Sequence, residues 1–402
     1  MRVLILHDLG RPIGGAEKLS ARIRDNLRAR GHDAMLLTST ADVMHRTQPL
    51  PLLADATCYG THGPLQRVLQ VANPAAAVAV RRALRTFRPD VVHVRMFLSQ
   101  LSPLVLPLLR GTPSLLHVVN YLPICPLDTK ELPDGSPCRS RAGMACRGNG
   151  CMPLIGGVRV AVQHGLMRRW LGAFDRVLAN SRWVQRRLLD DGFRCDGHVW
   201  NGVAERPARP PLAGLPTIGF AGRLIEKKGV SVLLQAFARV REACPEARLL
   251  VAGDGPDRPR LEQRAGELQV ADAVEFAGHL SPEEMEARLG TAWVQAVPGL
   301  WEEPFGLVVA EAMMRGTAVV TTATGGPAEQ VVEGETGRLV PPGDVNALAE
   351  ALLALLQDVS AAEAMGTAGR GRALACFTER VFMNRMLETY EAISSARGGT
   401  SA

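Results

Sequence analysis

Glu303 and Glu311, with seven residues between them, lie in Pro298-Gly299-Leu300-Trp301-Glu302-Glu303-Pro304-Phe305-Gly306-Leu307-Val308-Val309-Ala310-Glu311-Ala312-Met313, a loop that feeds directly into a helix. Pro304 presets the turn, Gly306 lets the backbone approach a ligand, and the first N–H groups of a helix starting near Gly306 have no intrahelical acceptor. An anionic group binds readily at such a helix start. Glu303 stands at its rim, and Glu311, further along the helix, is placed to accept hydrogen bonds from sugar hydroxyls. The plain alternative is a pair of surface acids. Against it, Val308, Val309, Ala312 and Met313 mark the helix as largely buried, where ionised groups need partners.

Three further loops follow apolar runs. Gly10-Arg11-Pro12-Ile13-Gly14-Gly15-Ala16-Glu17 puts Gly14 and Gly15 at a helix start, where a phosphate or sugar can approach, although a tight turn would look the same. In Ala221-Gly222-Arg223-Leu224-Ile225-Glu226-Lys227-Lys228-Gly229, Arg223 and Lys228 bracket a loop leading into a helix, and two cations there suit a diphosphate. Gly253-Asp254-Gly255 and Gly278-His279-Leu280 each close a strand with glycine and expose main-chain groups that can read a nucleobase edge. His279 is expected to lend its main chain rather than act as a base.

The elements that must position these loops are short. Val3 to Leu6, Ala34 to Thr38, Val91 to Val94, Ser114 to Val119 and Arg176 to Ala179 read as parallel strands, with Ala16 to Arg30 and Ser181 to Asp190 among the helices between them. The Pro-rich stretch 206–216 interrupts the pattern as a linker would. Thr217 to Ala221, Arg248 to Ala252, Ala273 to Phe276, Trp293 to Val297, Ala318 to Thr321 and Arg338 to Val340 then form a second set. Ser281-Pro282-Glu283-Glu284 is a helix cap, and Glu379 to Ile393 a final helix. The expected class is α/β: two Rossmann-like, doubly wound domains facing across a cleft, at 1–205 and 217–377, with 378–402 returning to the first.

With 402 residues, 47% apolar and 21% charged, the chain has the composition of a two-domain globular protein and no apolar run long enough to span a bilayer. A cytoplasmic location is expected. Residues 1–200 carry a net charge of +13 and the remainder −7. Arg22, Arg24, Arg28 and Arg30 crowd one helix, Arg81, Arg82, Arg85 and Arg88 a second, and Arg182, Arg186 and Arg187 a third. They form either a solvated surface or a face for an anionic membrane or acceptor. Aromatic residues do not interleave with them, so nucleic acid is not the expected partner. Cys125, Cys138, Cys146 and Cys151 cluster in a long loop, 125–153, without paired C-x-x-C knuckles. They are read as thiols or as ligands of a structural zinc.

Together, Gly222-Arg223, Lys228-Gly229, Gly253-Asp254-Gly255, Gly278 and Glu303-Pro304-Phe305-Gly306-Leu307 with Glu311-Ala312 resemble the family 4 retaining glycosyltransferases of the B-type fold. Gly14-Gly15-Ala16-Glu17, Ala179-Asn180-Ser181 and Val199-Trp200-Asn201-Gly202-Val203 extend the likeness over essentially the whole chain. The resemblance implies hexosyl transfer with retention from a nucleoside diphosphate sugar, uridine ahead of guanosine, to a saccharide, lipid-linked or small-molecule hydroxyl. It further implies that Arg223 and Lys228 neutralise the diphosphate, that Phe305, Gly306 and Leu307 donate backbone N–H groups, that Glu303 binds sugar hydroxyls and that Glu311 binds the ribose. No cofactor and, without an Asp-x-Asp motif, no catalytic metal are expected. One position departs. Where a subgroup with a Cys-rich loop carries His-Asp, this chain has Val119-Asn120. His117, two residues earlier on the same strand face, could substitute if the strand slides or bulges. A weak or inactive sugar-nucleotide-binding partner and an epimerase or hydrolase of the same fold are the competing expectations.

Overall fold

The computed structural model describes residues 1–42 and 50–398, so the last residues of the expected C-terminal segment, 399–402, lie outside it. Two compact units divide the chain: Met1–Val199 with the segment from Met383 onward, and Trp200–Phe382.

In the first unit the strands are β1 (Arg2–Leu9), β2 (Asp33–Ser39), β3 (Ala56–Cys58), β4 (Val91–Val94), β5 (Ser114–Val118) and β6 (Arg176–Ala179). Their helices are α1 (Gly15–Ala29), α2 (Pro64–Leu69), α3 (Pro74–Phe87), α4 (Ala145–Gly148), α5 (Leu154–Trp170) and α6 (Arg182–Asp190). The six strands pair in the order β3-β2-β1-β4-β5-β6, parallel throughout. Parallel strands are covered on both faces, which is why Val3 to Leu6 and Val91 to Val94 are near-continuous apolar runs.

The second unit repeats the plan with β7 (Thr217–Ala221), β8 (Arg248–Ala252), β9 (Val274–Gly278), β10 (Val294–Val297), β11 (Ala318–Thr322) and β12 (Arg338–Val340), ordered β12-β11-β10-β7-β8-β9. Its helices are α7 (Val230–Ala243), α8 (Arg258–Glu267), α9 (Pro282–Leu289), α10 (Leu307–Arg315), α11 (Gly325–Gln330), α12 (Val345–Gln357) and α13 (Val359–Cys376). One core cluster joins Ile218, Phe220, Leu233, Phe237, Val294 and Leu352, and a second joins Val297, Val309, Met313 and Val319. Ser281 and Glu284 close a reciprocal capping box on α9. Helix α14 (Glu379–Gly398) starts in this unit and passes into the first.

The Pro-rich stretch belongs to the second unit. Arg209 donates its backbone N–H to Arg315 O at 2.8 Å and Nε to Gly316 O at 3.0 Å, and the backbone N–H of Leu212 donates to Glu363. Composition marked a break in periodicity there, while hydrogen bonds hold the segment against the domain.

Candidate active site

In each sheet strand order reverses once, between β1 and β4 and between β7 and β10. Ligands of open α/β sheets bind outside the carboxyl ends of the strands at such a point. The loops after β7 and β10 carry Arg223, Lys228 and Glu303.

These two loops are locked together by backbone. Gly229 has φ +72°, and a Cβ there would lie 1.9 Å from Pro298 O, so only glycine permits the approach. Leu300 N–H donates to Lys227 O at 2.9 Å, and Lys227 Nζ stands 5.5 Å from the centre of the Trp301 ring. As a result Lys228 Nζ lies 2.7 and 2.8 Å from the two carboxylate oxygens of Glu303. With side-chain exposures of 21% and 18%, both groups remain reachable. Arg223 is exposed, with no ion pair holding its guanidinium among the described residues.

Helix α10 starts beside this pair. Gly306, at its N-cap, has φ +80° and no side-chain cap, so the first-turn N–H groups of Leu307 and Val308 have no intrahelical acceptor. Phe305 is buried, whereas Leu307 and Glu311 are half-buried. One turn beyond Glu311, buried Arg315 pairs with Glu286 at 3.0 Å. Burial lowers the pKa of that guanidinium, against the pull of Glu286 and Glu311.

A support of this turn has no counterpart in the sequence reading. Gly325 and Gly326 lie against the backbone of Glu303 and Pro304, Gly326 N–H donates to Glu303 O at 2.7 Å, and Gln330 Nε2 donates to Phe305 O and, at 3.2 Å, to Gly306 O. The glycine pair at the start of α11 was the available signal. On the other side, Gly253 N–H donates to Gly278 O at 2.7 Å and Leu224 N–H to Asp254 O at 2.9 Å, which ties the β8 and β9 loops to the loop of Arg223. Gly255 packs on Leu224, and after β9 His279 is exposed and Leu280 buried.

The expected residues of the first unit fall elsewhere. Gly14 caps α1 in extended conformation, and Gly15 opens the helix. Glu17, on the same turn, is buried 3.6 Å from His7 Nε2. His117 is fully buried, stacked on His93 with ring centres 5.5 Å apart, and burial, with Arg95 adding to it, lowers its pKa to about 3. β5 pairs with β6 from Leu115↔Arg176 to Val118↔Ala179 without a register shift. No register shift moves His117 toward the place of Val119, and its ring lies within the core of the sheet.

The arrangement of the Cys-rich loop gives no support to a zinc site. Cys125, Cys138 and Cys146 are buried and Cys151 half-buried, all as free thiols, and no group of His, Cys, Asp or Glu among the described residues is arranged to hold a metal ion. Burial raises the pKa of Cys146 and Cys151, which favours thiols over thiolates. An ion pair staples the loop instead. Buried Lys130 donates Nζ to Asp191 at 2.6 Å and to Ser140 O at 2.7 Å, and Arg168 reaches the other Asp191 oxygen at 2.5 Å.

Residues 14–199 match the family described as "Glycosyl transferase 4-like domain" and residues 205–372 the family "Glycosyl transferases group 1". Among curated relatives, the phosphatidyl-myo-inositol mannosyltransferase of Mycobacterium leprae is 32% identical over 246 residues, 59% of this chain and 64% of that one. The GDP-mannose-dependent alpha-(1-6)-phosphatidylinositol monomannoside mannosyltransferase of Mycolicibacterium smegmatis is 35% identical over 192 residues, 46% of this chain and 50% of that one. The chain therefore spans between half and two thirds of the length of these relatives. The solved sucrose-phosphate synthase of Thermosynechococcus elongatus superposes with a TM-score of 0.74 at 23% identity, covering 98% of this chain and 99% of that one. With its paired six-stranded sheets and a family match over each, the chain belongs to the family 4 glycosyltransferases of the B-type fold.

Proposed function

We propose that the protein transfers a sugar, with retention, from a nucleoside diphosphate sugar to a hydroxyl acceptor. The observation that carries this reading is the meeting of Lys228 and Glu303 across the switch point of the second sheet, beside Arg223 and the open N-terminus of α10. Arg223 and Lys228 neutralise the diphosphate without a divalent ion, and the first N–H groups of α10 bind its oxygens. Glu303 takes sugar hydroxyls and Glu311 the ribose. Donor binding exchanges the Lys228–Glu303 pair for phosphate on one side and hydroxyl on the other.

In the reaction the bond from the anomeric carbon to the phosphate oxygen breaks as a bond to the acceptor oxygen forms on the same face. The acceptor proton passes to the departing phosphate oxygen. Charge grows on the diphosphate, where preorganised cations and N–H groups stabilise the transition state most. No enzyme nucleophile is needed.

Uridine and guanosine diphosphate sugars are both candidate donors, the second because a relative's name includes GDP-mannose dependence. Incubation of the protein with each sugar nucleotide and a panel of saccharide, inositol-lipid and small-molecule alcohols, followed by nucleotide release and product anomer, tests the reading. Acceptor-dependent release of one nucleoside diphosphate with a retained anomer is expected. Tight donor binding without turnover over the whole panel would favour the non-catalytic partner, a reading motivated by Val119 directly after β5.

A further inference from the structure

Helix α5 is apolar where a surface helix is normally polar. Its buried side carries Val160, Gln163, His164 and Met167, and its outward stripe carries Ile155, Val158 and Val162, spaced at i, i+3 and i+7. Ile155 is 84% exposed and Val158 and Val162 each 48%. Beside it lies α2, none of whose residues is buried, with Val68 62% and Leu65 48% exposed. Gln163 Nε2 donates to Gln70 O at 2.8 Å, and Arg159 donates to the Gln70 side chain, which fixes the two helices as neighbours. Contiguous exposed aliphatics of this kind mark an interaction surface.

The stretches of sequence that carry these helices hold charge of one sign. Residues 56–89 contain five arginines and residues 135–174 six, and neither stretch contains an Asp or Glu. Arg67 on α2 and Arg159 on α5 are close enough to repel each other, and no carboxylate pairs with either among the described residues. The basic helices α1 and α6 contrast with this. Arg28 pairs with Asp55 at 2.9 Å and donates to Ala34 O, Arg24 pairs with Asp25 at 2.8 Å, and Arg187 reaches Lys130 O and Cys138 O. Their guanidiniums are engaged within the fold.

We propose that the α2–α5 face of the first unit docks on an anionic lipid surface, with Leu65, Val68, Ile155, Val158 and Val162 entering the headgroup boundary and Arg67 and Arg159 meeting lipid phosphates. Aliphatic burial and guanidinium–phosphate attraction together supply the two signals that stable peripheral binding requires. Among the described residues no single helix is long and apolar enough to cross a membrane. The docking stands apart from the transfer chemistry, since it needs neither donor nor acceptor.

Sedimentation of the full chain with vesicles of phosphatidylcholine alone, or with about a quarter phosphatidylglycerol, at low salt and at about 0.5 M salt, tests it. The expected result is binding to the anionic vesicles only, weakened by salt. Ile155→Ser/Val158→Ser/Val162→Ser should lower it at least tenfold with unchanged circular dichroism, and exposed Arg67→Gln, which disturbs no packing, about fivefold. Absence of binding, equal binding to both vesicles, or no loss in Arg67→Gln would overturn the proposal. So would a concentration-dependent dimer dissolved by the triple serine variant, which would give the face to a second copy of the chain. None of these outcomes bears on sugar transfer.

Discussion

The two sheets share a topology, yet their switch points are furnished in opposite ways. At the reversal in the second sheet, Lys228 and Glu303 meet with about a fifth of each side chain open to solvent, and Arg223 is exposed beside them. At the reversal in the first, Asp8 is fully buried and accepts N–H groups of Ser99, Gln100 and Leu101 at 2.8 Å each. His7, His93 and His117 lie behind it at 0% exposure, with Tyr390 OH 2.8 Å from His93 Nδ1. Topology offers the same place twice. Whether that place is used for binding or for holding the fold depends on whether its ionisable groups are open or sealed.

The largest effect that sharpens this contrast is structural. Lys130→Ala strands Asp191 with only Arg168 and should cost about 3 to 5 kcal/mol in chemical denaturation, with nucleotide affinity almost unchanged. Next, Lys228→Ala should lower turnover by about a hundred- to a thousandfold, since a lost charge-stabilising contact is worth roughly 3 to 4 kcal/mol. Its stability should change by less than about 1 kcal/mol, because a half-open ion pair contributes little. The reverse pattern, lost stability and normal turnover, would erase the distinction between the two sheets.

Gly229→Ala comes third. Its new Cβ meets Pro298 O at a left-handed backbone position, so about 2 kcal/mol of stability should be lost, and nucleotide affinity with it, in thermal and binding measurements on one sample. The smallest effect is acid sensitivity. His117 has a folded pKa of about 3 against 6.5 unfolded, so the unfolded chain binds more protons between these values and stability falls as pH drops below 6.5. At pH 5 this single group removes about 2 kcal/mol. Eight of the nine histidines belong to the first unit and only His279 to the second. Hydrogen exchange at pH 5 should therefore show the first unit opening before the second, and simultaneous opening would count against the buried histidines as the cause.

Among the described residues, eleven of the twelve strands are readable in the sequence because parallel strands buried on both faces are runs of Val, Leu, Ile and Ala. β3 is not: Ala56-Thr57-Cys58 is three residues at a sheet edge and has no period to detect. Residue type and spacing picked out Glu303, Arg223 and Lys228 as separate ligands of a diphosphate and a sugar. The direct pairing of Lys228 with Glu303 depends on a backbone contact between Gly229 and Pro298, a long-range fact with no local signature. The same holds for Gln330, a polar residue whose amide holds the Phe305–Gly306 turn. Alternation placed His117 on a strand face but did not say that His93 and Tyr390 seal that face. The clustering of four cysteines left thiols or a metal open for the long loop, whereas Lys130 and Asp191, 61 residues apart, supply its staple.

The central claim is that the β7 and β10 loops of the second sheet form a diphosphate site. Calorimetric titration of uridine and guanosine diphosphates into the wild-type protein, Arg223→Ala and Lys228→Ala tests it most directly. The predicted result is one nucleoside diphosphate binding the wild type and at least tenfold weaker binding in each variant, a loss of about 1.4 kcal/mol or more. Undiminished affinity in both variants would contradict the account.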